Sequence, residues 1–518
     1  MQLSLAISVV LFALAAWPLA LTRVPPLQDL PNHLAAITVI THPDRYPSFV
    51  FNGFFKTNTA LFAWLYFVGK AVGAAAAARL FVLLVLAANA VVFPLLVLQL
   101  TKSRARMVVA SLLVWPMIHN WFVSMGMLDF ALGVPLALTM VMLLEQRSRA
   151  PSWRNAALLF VASAATWYAH VFAVLVVFLL LSLHLVTRAS WKERTKQAKL
   201  LVPPLLPVAV LVLWSVRVQL GEGAGPMTGH VNLSKLLPAW ELVYNLWAEW
   251  MWGFTKLSIS SFVPTIVIAI FCIRNRHDEV PFFSRLAFGL LLALFCFTPY
   301  IATNWFHVCS RFIPFLWAAA ILRVPPRLPA RLVSLLVLSA ALYSVGMGVD
   351  YVRLDRDREK FMAGVQAVPE GATLLPLIFR RQLTSENTRS LLHEWGLYVM
   401  EKQTSAPLLF AHSSAFPVMY REPPTPRFNH LILESFAPSM RTPDWMCSSL
   451  LAGGVFVDDC DGEWRRRWEE FWHEAVPLYD HVLFWDATPE VRALVPAAYR
   501  VTFQQDRLVI YERAPKLP

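Results

Sequence analysis

Residues 59–75 read TALFAWLYFVGKAVGAA, and the side of the membrane on which every later loop lies depends on this stretch. It is short and apolar, and Lys70 interrupts it. A transmembrane helix needs about 20 mostly apolar residues. The stretch therefore reads as a helix lying on, or dipping into, the outer face. Counting it as a span would invert every loop that follows.

Continuous apolar runs fall at 3–21, 77–100, 107–125, 127–144, 155–170, 171–187, 201–217, 258–273, 284–301, 311–323 and 332–350. That gives about eleven spans, several short enough to need tight packing or local thinning of the bilayer. With the N-terminus inside, the even-numbered runs are followed by cytoplasmic loops. Those loops read TKSRAR, EQRSRAPSWR, TRASWKERTKQAK, RNRH and RVPPRLPAR, and every one is basic, as the positive-inside rule requires. Residues 1–22 lack a basic n-region and read as an uncleaved first span, not a signal peptide. The loops 22–76 and 218–257, and the chain after Asp350, then lie outside.

Composition agrees. Of 518 residues, 57% are hydrophobic and 15% charged, against about 25% charged in an ordinary soluble domain. The net charge of +12 divides into +15 over residues 1–350 and −3 over 351–518, so the basic excess sits in the short membrane loops. It forms no stripe that could track phosphates, and nucleic acid is excluded as a partner. Five Cys are too few for a disulfide framework. Cys447 and Cys460 could pair if their region is outside the cytoplasm.

Residues 351–518 mix helical and strand signals and read as a small α/β domain. TLLPLIF, PLLFAH, HVLFW, YRVTF and RLVIYER read as strands, the last two joined by a QQD turn. DREKFMAGVQAV, ENTRSLLHEWGLYVMEK and EWRRRWEEFWHEAV read as helices. Asp458, Asp459 and Asp461 could hold a metal or form a solvated turn.

Polar residues gather at the outer ends of the runs. Asp29, Asn32 and His33 follow the first. His119 and Asn120 end the third, Asp129 begins the fourth, and His170 lies between the fifth and sixth. Asn304, His307 and Arg311 lie between the ninth and tenth. One membrane face collects them all, as an outer-leaflet site requires. In PPLQDLPNHLA (25–35), Asp29 reads either as a helix cap or as a general base taking the proton of an attacking hydroxyl. His33, one turn on, could share its face. Arg311 reads either as a snorkelling cation or as a phosphate clamp. Asn32, His119, Asp129, His170 and His307 read either as satisfied interfacial residues or as substrate-binding groups.

An N-terminal span, an outer loop with a membrane-proximal acid, many spans and an outer C-terminal domain together resemble the GT-C glycosyltransferase superfamily. That superfamily includes protein O-mannosyltransferases, oligosaccharyltransferases and the aminoarabinose transferases of lipid A. DLPNHLA resembles a D-x-P-N-H-L motif of bacterial GT-C-type membrane proteins, and GMLDFALGVPLAL (126–138) resembles their following span, with Asp129 where Asn is common. The resemblance implies that Asp29 is the catalytic base or contacts the acceptor. The first-loop acidic pair of many members is absent, since Asp44 is the only other acid there, and a divalent metal is not supported by it.

Nucleotide sugars do not cross a bilayer, so an outer site needs a flipped donor such as a polyprenyl-phosphate sugar. The expectation is a multi-pass protein of the bacterial inner membrane. It would pass a sugar from that lipid to an extracytoplasmic glycan, lipid or protein, with Asp29 as base and Arg311 on the leaving phosphate. The alternatives are a non-catalytic scaffold of the same fold and a lipid-linked-oligosaccharide flippase. A flippase would require polar residues through the mid-membrane, and the runs hold few.

Overall fold

The computed structural model describes residues 2–222, 234–253, 256–302, 306–379, 388–411, 414–421, 433–434 and 459–514. Helix α1 (Gln2–Ala16) continues as a 3-10 turn to Leu21. The first loop carries α2 (Leu30–Thr41), the short strand β1 (Phe49–Phe51) and α3 (Ala60–Val72). Helix α3 has 13 residues. At 1.5 Å per residue it rises roughly 20 Å, short of the ~30 Å hydrocarbon core. Leu61, Phe62 and Leu65 are buried while Phe67 is exposed, as in a helix lying along a surface.

The bundle follows: α4 (Ala74–Thr101), α5 (Arg104–Leu113), α6 (Trp115–Ile118), α7 (Trp121–Met125), α8 (Leu128–Arg149), α9 (Trp153–Ala169), α10 (Val171–Val186), α11 (Trp191–Leu201), α12 (Leu206–Glu222), α13 (Ala239–Met251), α14 (Phe262–Arg274), α15 (Arg285–Phe297), α16 (Ile313–Ile321) and α17 (Ala330–Met362). Each of the eleven apolar runs contains a helix, and two short strands, β2 (Ser234–Lys235) and β3 (Ile301–Ala302), pair antiparallel. Five helices are long and apolar enough to cross a membrane, or seven if each of two bent pairs is one span. The expected eleven exceed that number because runs such as 171–187 and 284–301 fold into helices of 16 and 13 residues. One bent pair, α5 with α6–α7, turns by 68°. Pro116, in the first turn of α6, accounts for the break: it has no N–H for the carbonyl four residues back, and its ring crowds that carbonyl.

Helix α17 runs unbroken through position 350, where the sequence suggested a domain boundary, and carries the chain into the C-terminal region. There β4 (Leu374–Ile378), β6 (His481–Trp485), β8 (Leu508–Arg513) and β7 (Tyr499–Gln505) form one sheet in that order, with β4 and β6 parallel and the other pairs antiparallel. β4 and β6 are buried along their whole length, which explains their uninterrupted apolar runs. The described residues of PLLFAH, 407–411, form turns and bends rather than the expected strand. Among the described residues of ENTRSLLHEWGLYVMEK, only α18 (Gly396–Lys402) is α-helical. Cys447, Asp458, Asn304 and the Cys460 side chain lie outside the described residues, and the Cys447–Cys460 pairing with them. Asp459 caps the helix Cys460–Glu470, accepting from Gly462 N at 2.9 Å.

The C-terminal region docks on the first loop. β1 pairs antiparallel with β5 (Val418–Tyr420). Helix α18 packs on α2, so closely that a Cβ on Gly396 would lie 2.2 Å from Pro31 O. The buried Arg358 on α17 makes a bidentate pair with the buried Glu394, at 2.8 and 2.7 Å, and also donates to Val24 O. Removing one partner of such a pair leaves an uncompensated charge, at a cost of about 3–5 kcal/mol.

Candidate active site

The five-residue helix α7 is the hub. At its C-terminal end the carbonyls of Ser124 and Met125 accept from Gln28 N at 3.1 Å and Asp29 N at 3.0 Å. Gly126 follows at φ 84°, and a Cβ there would stand 2.8 Å from Asp29 N. Only glycine takes that conformation at little cost, so the Gly126 turn fixes where the Asp29 loop lies. Trp121 at the other end packs against His307, with ring centroids 4.9 Å apart. Between them, Phe122 meets Phe130 at 4.6 Å, and Phe130 meets His170 at 5.0 Å.

Asp29 occupies the N-cap position of α2, yet its side chain makes no capping bond. Its Oδ1 accepts from Gln28 Nε2 at 3.3 Å and from His393 Nδ1 at 3.0 Å. The other His393 nitrogen lies 3.3 Å from Glu434 Oε1. Burial by itself would depress the His393 pKa. The hydrogen bonds and charges of Asp29 and Glu434 outweigh it and raise the pKa to about 9. His393 is therefore an imidazolium at neutral pH, held between two carboxylates. His33 goes the opposite way. Burial lowers it to about 4 against the pull of Asp29, so it is neutral at pH 7. Its ring packs edge-on to Phe62 at 5.0 Å and Phe410 at 6.0 Å.

Arg311 is buried and donates to His170 Nε2 at 2.8 Å and to Phe306 O at 3.3 Å. His170 Nδ1 accepts from Phe172 N at 3.2 Å, capping α10. That bond orients the ring so that Nε2 faces the guanidinium. Phe130 lies under the guanidinium at 5.7 Å. The sequence placed His170 and Arg311 on the same membrane face, and the structure brings them into contact.

His307, at φ 58°, joins a group the sequence did not single out. Tyr300 Oη donates to Glu249 Oε1 at 2.7 Å and lies 2.5 Å from His307 Nδ1, while Ser310 Oγ donates to Glu249 Oε2. Glu249 is buried at a non-helical position inside α13. The signal for it was an acid within the aromatic run NLWAEWMW of a loop expected outside. Nothing in that run showed what it would face. His393 gave as little warning, since its segment read as an ordinary amphipathic helix.

Three residues expected at the site are engaged elsewhere. Asn32 is fully buried, and its amide spans the chain at 408–410: Nδ2 donates to Leu408 O at 3.0 Å and Oδ1 accepts from Phe410 N at 3.1 Å. Asp129 Oδ1 accepts from Leu61 N at 2.8 Å and so caps α3 from a neighbouring helix. His119 Nε2 lies 2.8 Å from Tyr351 Oη, deep against α17.

No protein-family model matches the chain, and no curated protein does. Solved structures match nearly all of it, two of them of one protein. ArnT from Cupriavidus metallidurans in the apo state covers 98% of this chain and 97% of its own, at 14% identity and a TM-score of 0.53. The same protein bound to undecaprenyl phosphate matches at 12% identity and a TM-score of 0.51, with equal coverage. The chain shares the fold of this ArnT over nearly its whole length. It is a multi-pass membrane protein with a small sheet-containing region at its C-terminal end, as the resemblance of DLPNHLA and the span layout implied.

Proposed function

We propose that the chain is a membrane glycosyltransferase that moves a sugar from a polyprenyl-phosphate donor to an acceptor hydroxyl. Its site lies on the face of the bacterial inner membrane opposite the basic loops, with the N-terminus cytoplasmic and the C-terminal region outside. The observation that carries this reading is the acid at the head of α2. Asp29 does not cap its helix, and it meets an imidazole from the C-terminal region within a fold that follows ArnT from end to end. ArnT binds undecaprenyl phosphate, which supports a polyprenyl-phosphate donor here.

Asp29 acts as general base. Among the described residues both of its side-chain bonds fall on Oδ1, which leaves Oδ2 for the acceptor. The acceptor oxygen loses its proton to Oδ2 and attacks the anomeric carbon. The bond from that carbon to the phosphate oxygen breaks, and the electron pair leaves on the phosphate. Arg311 stabilises the growing phosphate charge from its buried position, and His170 orients the guanidinium. The neutral His33 and the His307 group line the approach. Acceptor classes from lipid A-like glycolipids to protein hydroxyls are compatible with this chemistry.

The test is transfer by membranes carrying wild type or Asp29→Asn, supplied with undecaprenyl-phosphate sugars and normalised for protein abundance. Loss of a general base costs about 10²–10⁴-fold. Full transfer by Asp29→Asn at normal abundance removes Asp29 as base.

A second reading, a non-catalytic scaffold of the same fold, is favoured by His393 itself. As an imidazolium paired with both Asp29 and Glu434, it can serve solely to lock the C-terminal region onto the first loop. On that reading Asp29→Asn lowers stability, and no donor gives transfer with wild type.

A further inference from the structure

Helices α14, α15 and α16 enclose a cavity of about 550 Å³ at the end of the bundle that carries the basic loops. That volume lies within the ~300–1,000 Å³ usual for small-molecule sites. Helix α16 packs against both α14 and α15, and the cavity opens between those two. Its walls are apolar over about one and a half turns of α14 and of α15, from Ala269 to Ile273 and from Phe288 to Leu292. Ile273 is 68% and Leu292 39% exposed, so the mouth lies on an apolar flank that only lipid would cover.

The basic end is as distinct as the apolar walls. Arg276, Arg285 and Arg323 line it. Arg323 is 2% exposed, and its guanidinium donates to two neutral carbonyls, Ala319 O at 2.7 Å and Phe283 O at 2.9 Å. Among the described residues no carboxylate stands within ion-pair distance of it. Arg285 is shared with Glu279 in an exposed pair, which is worth little. An apolar slot open to the bilayer with a cationic end has the shape and charge of one ligand class.

We propose that this cavity holds an anionic glycerophospholipid of the leaflet facing the basic loops. One acyl chain would lie between α14 and α15, and the phosphate would meet Arg276 and Arg285. Basic pockets between membrane helices on the cytoplasmic side bind anionic head groups by the same physics, and the anionic lipids of that leaflet supply them. A soluble anion could reach the rim but would leave the apolar slot unfilled. The proposal is independent of the catalytic reading, because none of these residues belongs to the Asp29 or Arg311 groups.

The test uses the full-length protein in nanodiscs of phosphatidylcholine, with or without phosphatidylglycerol. Phosphatidylglycerol should raise the Tm of wild type by about 2–4 °C and should remain bound on extraction into detergent, as read by native mass spectrometry. Arg276→Gln/Arg285→Gln should lose both effects. So should Ala269→Trp, which fills the slot from a half-buried position without touching charge. Lys192→Gln/Lys196→Gln on α11 removes charge from another basic loop and should keep both. Phosphatidylglycerol retention unchanged in the two cavity variants, equal loss in the α11 variant, or the same Tm gain from inorganic phosphate alone would each overturn the proposal.

Discussion

His393 Nδ1 lies 3.0 Å from Asp29 Oδ1 across 364 positions of sequence. That contact ties the C-terminal region to the head of α2, and its strength depends on one proton. The His393 pKa is raised to about 9 from an ordinary 6.5. A raised folded-state pKa gives stability that is complete below 6.5 and is lost as pH climbs through 9. At 1.36 kcal/mol per pKa unit the contribution is about 3 kcal/mol at most. His33 has the opposite sign. Its pKa is lowered to about 4, so its contribution is present above 6.5 and is lost as pH falls. The pair predicts maximal stability near pH 6.5. Thermal unfolding of wild type and His393→Gln between pH 6.5 and 9.5 checks this. Wild type should lose stability across that window, and His393→Gln should be nearly flat.

Asn32 separates docking from substrate binding. Replacing it by Ala leaves buried polar groups at Leu408 and Phe410 without partners. At about 1–3 kcal/mol for each unsatisfied group, the C-terminal region should loosen. Limited proteolysis should cut residues 388–421 faster in Asn32→Ala. A raised KM with unchanged protease resistance and Tm would return Asn32 to the substrate-binding set.

Two glycines set two close approaches. Gly126→Ala should push the Asp29 loop off α7, because the new Cβ meets Asp29 N at 2.8 Å and the backbone is held at φ 84°. Gly396→Ala should push α18 off Pro31. Each should cost about 1–3 kcal/mol as an overpacking change. Gly126→Ala should lower transfer beyond its effect on stability, since it moves the acid. Comparing kcat at matched folded fraction separates the two.

Arg311→Lys keeps a positive charge but loses the planar fork that reaches His170 and a phosphate together. Transfer should fall about 10- to 100-fold, the size of one lost charge-assisted bond in the transition state. Binding of the spent polyprenyl phosphate, measured by competition, should weaken in parallel. Equal transfer by Arg311→Lys and wild type would make the residue a lipid-facing cation with no part in the chemistry.

Glu249 tests the group that the sequence did not indicate. Glu249→Gln removes the charge that Tyr300 and Ser310 both bond to, yet keeps the shape. A loss of about 1–3 kcal/mol is expected, the range for bonds to charged groups. The near-ultraviolet signal of Trp121 and Tyr300 should change with it, and unfolding curves measure the loss.

The sequence by itself determined the class of the molecule, because burial in lipid imposes long apolar runs, and charge at their ends is read without any tertiary contact. It placed all eleven helical runs, the short helix at 60–72 and four of the five expected strands. It also singled out Asp29, His170 and Arg311, since ionisable groups beside a membrane are costly enough to stand out. Only the tertiary structure decided which of them meet. Asn32 and Asp129 looked like site residues, but their partners are main-chain groups, which every segment carries and no sequence distinguishes. His393 was silent because its segment read as an ordinary amphipathic helix, and Glu249 because nothing in NLWAEWMW shows what it would face. What gives them meaning is a neighbour more than fifty residues away, brought close by packing that local periodicity does not encode.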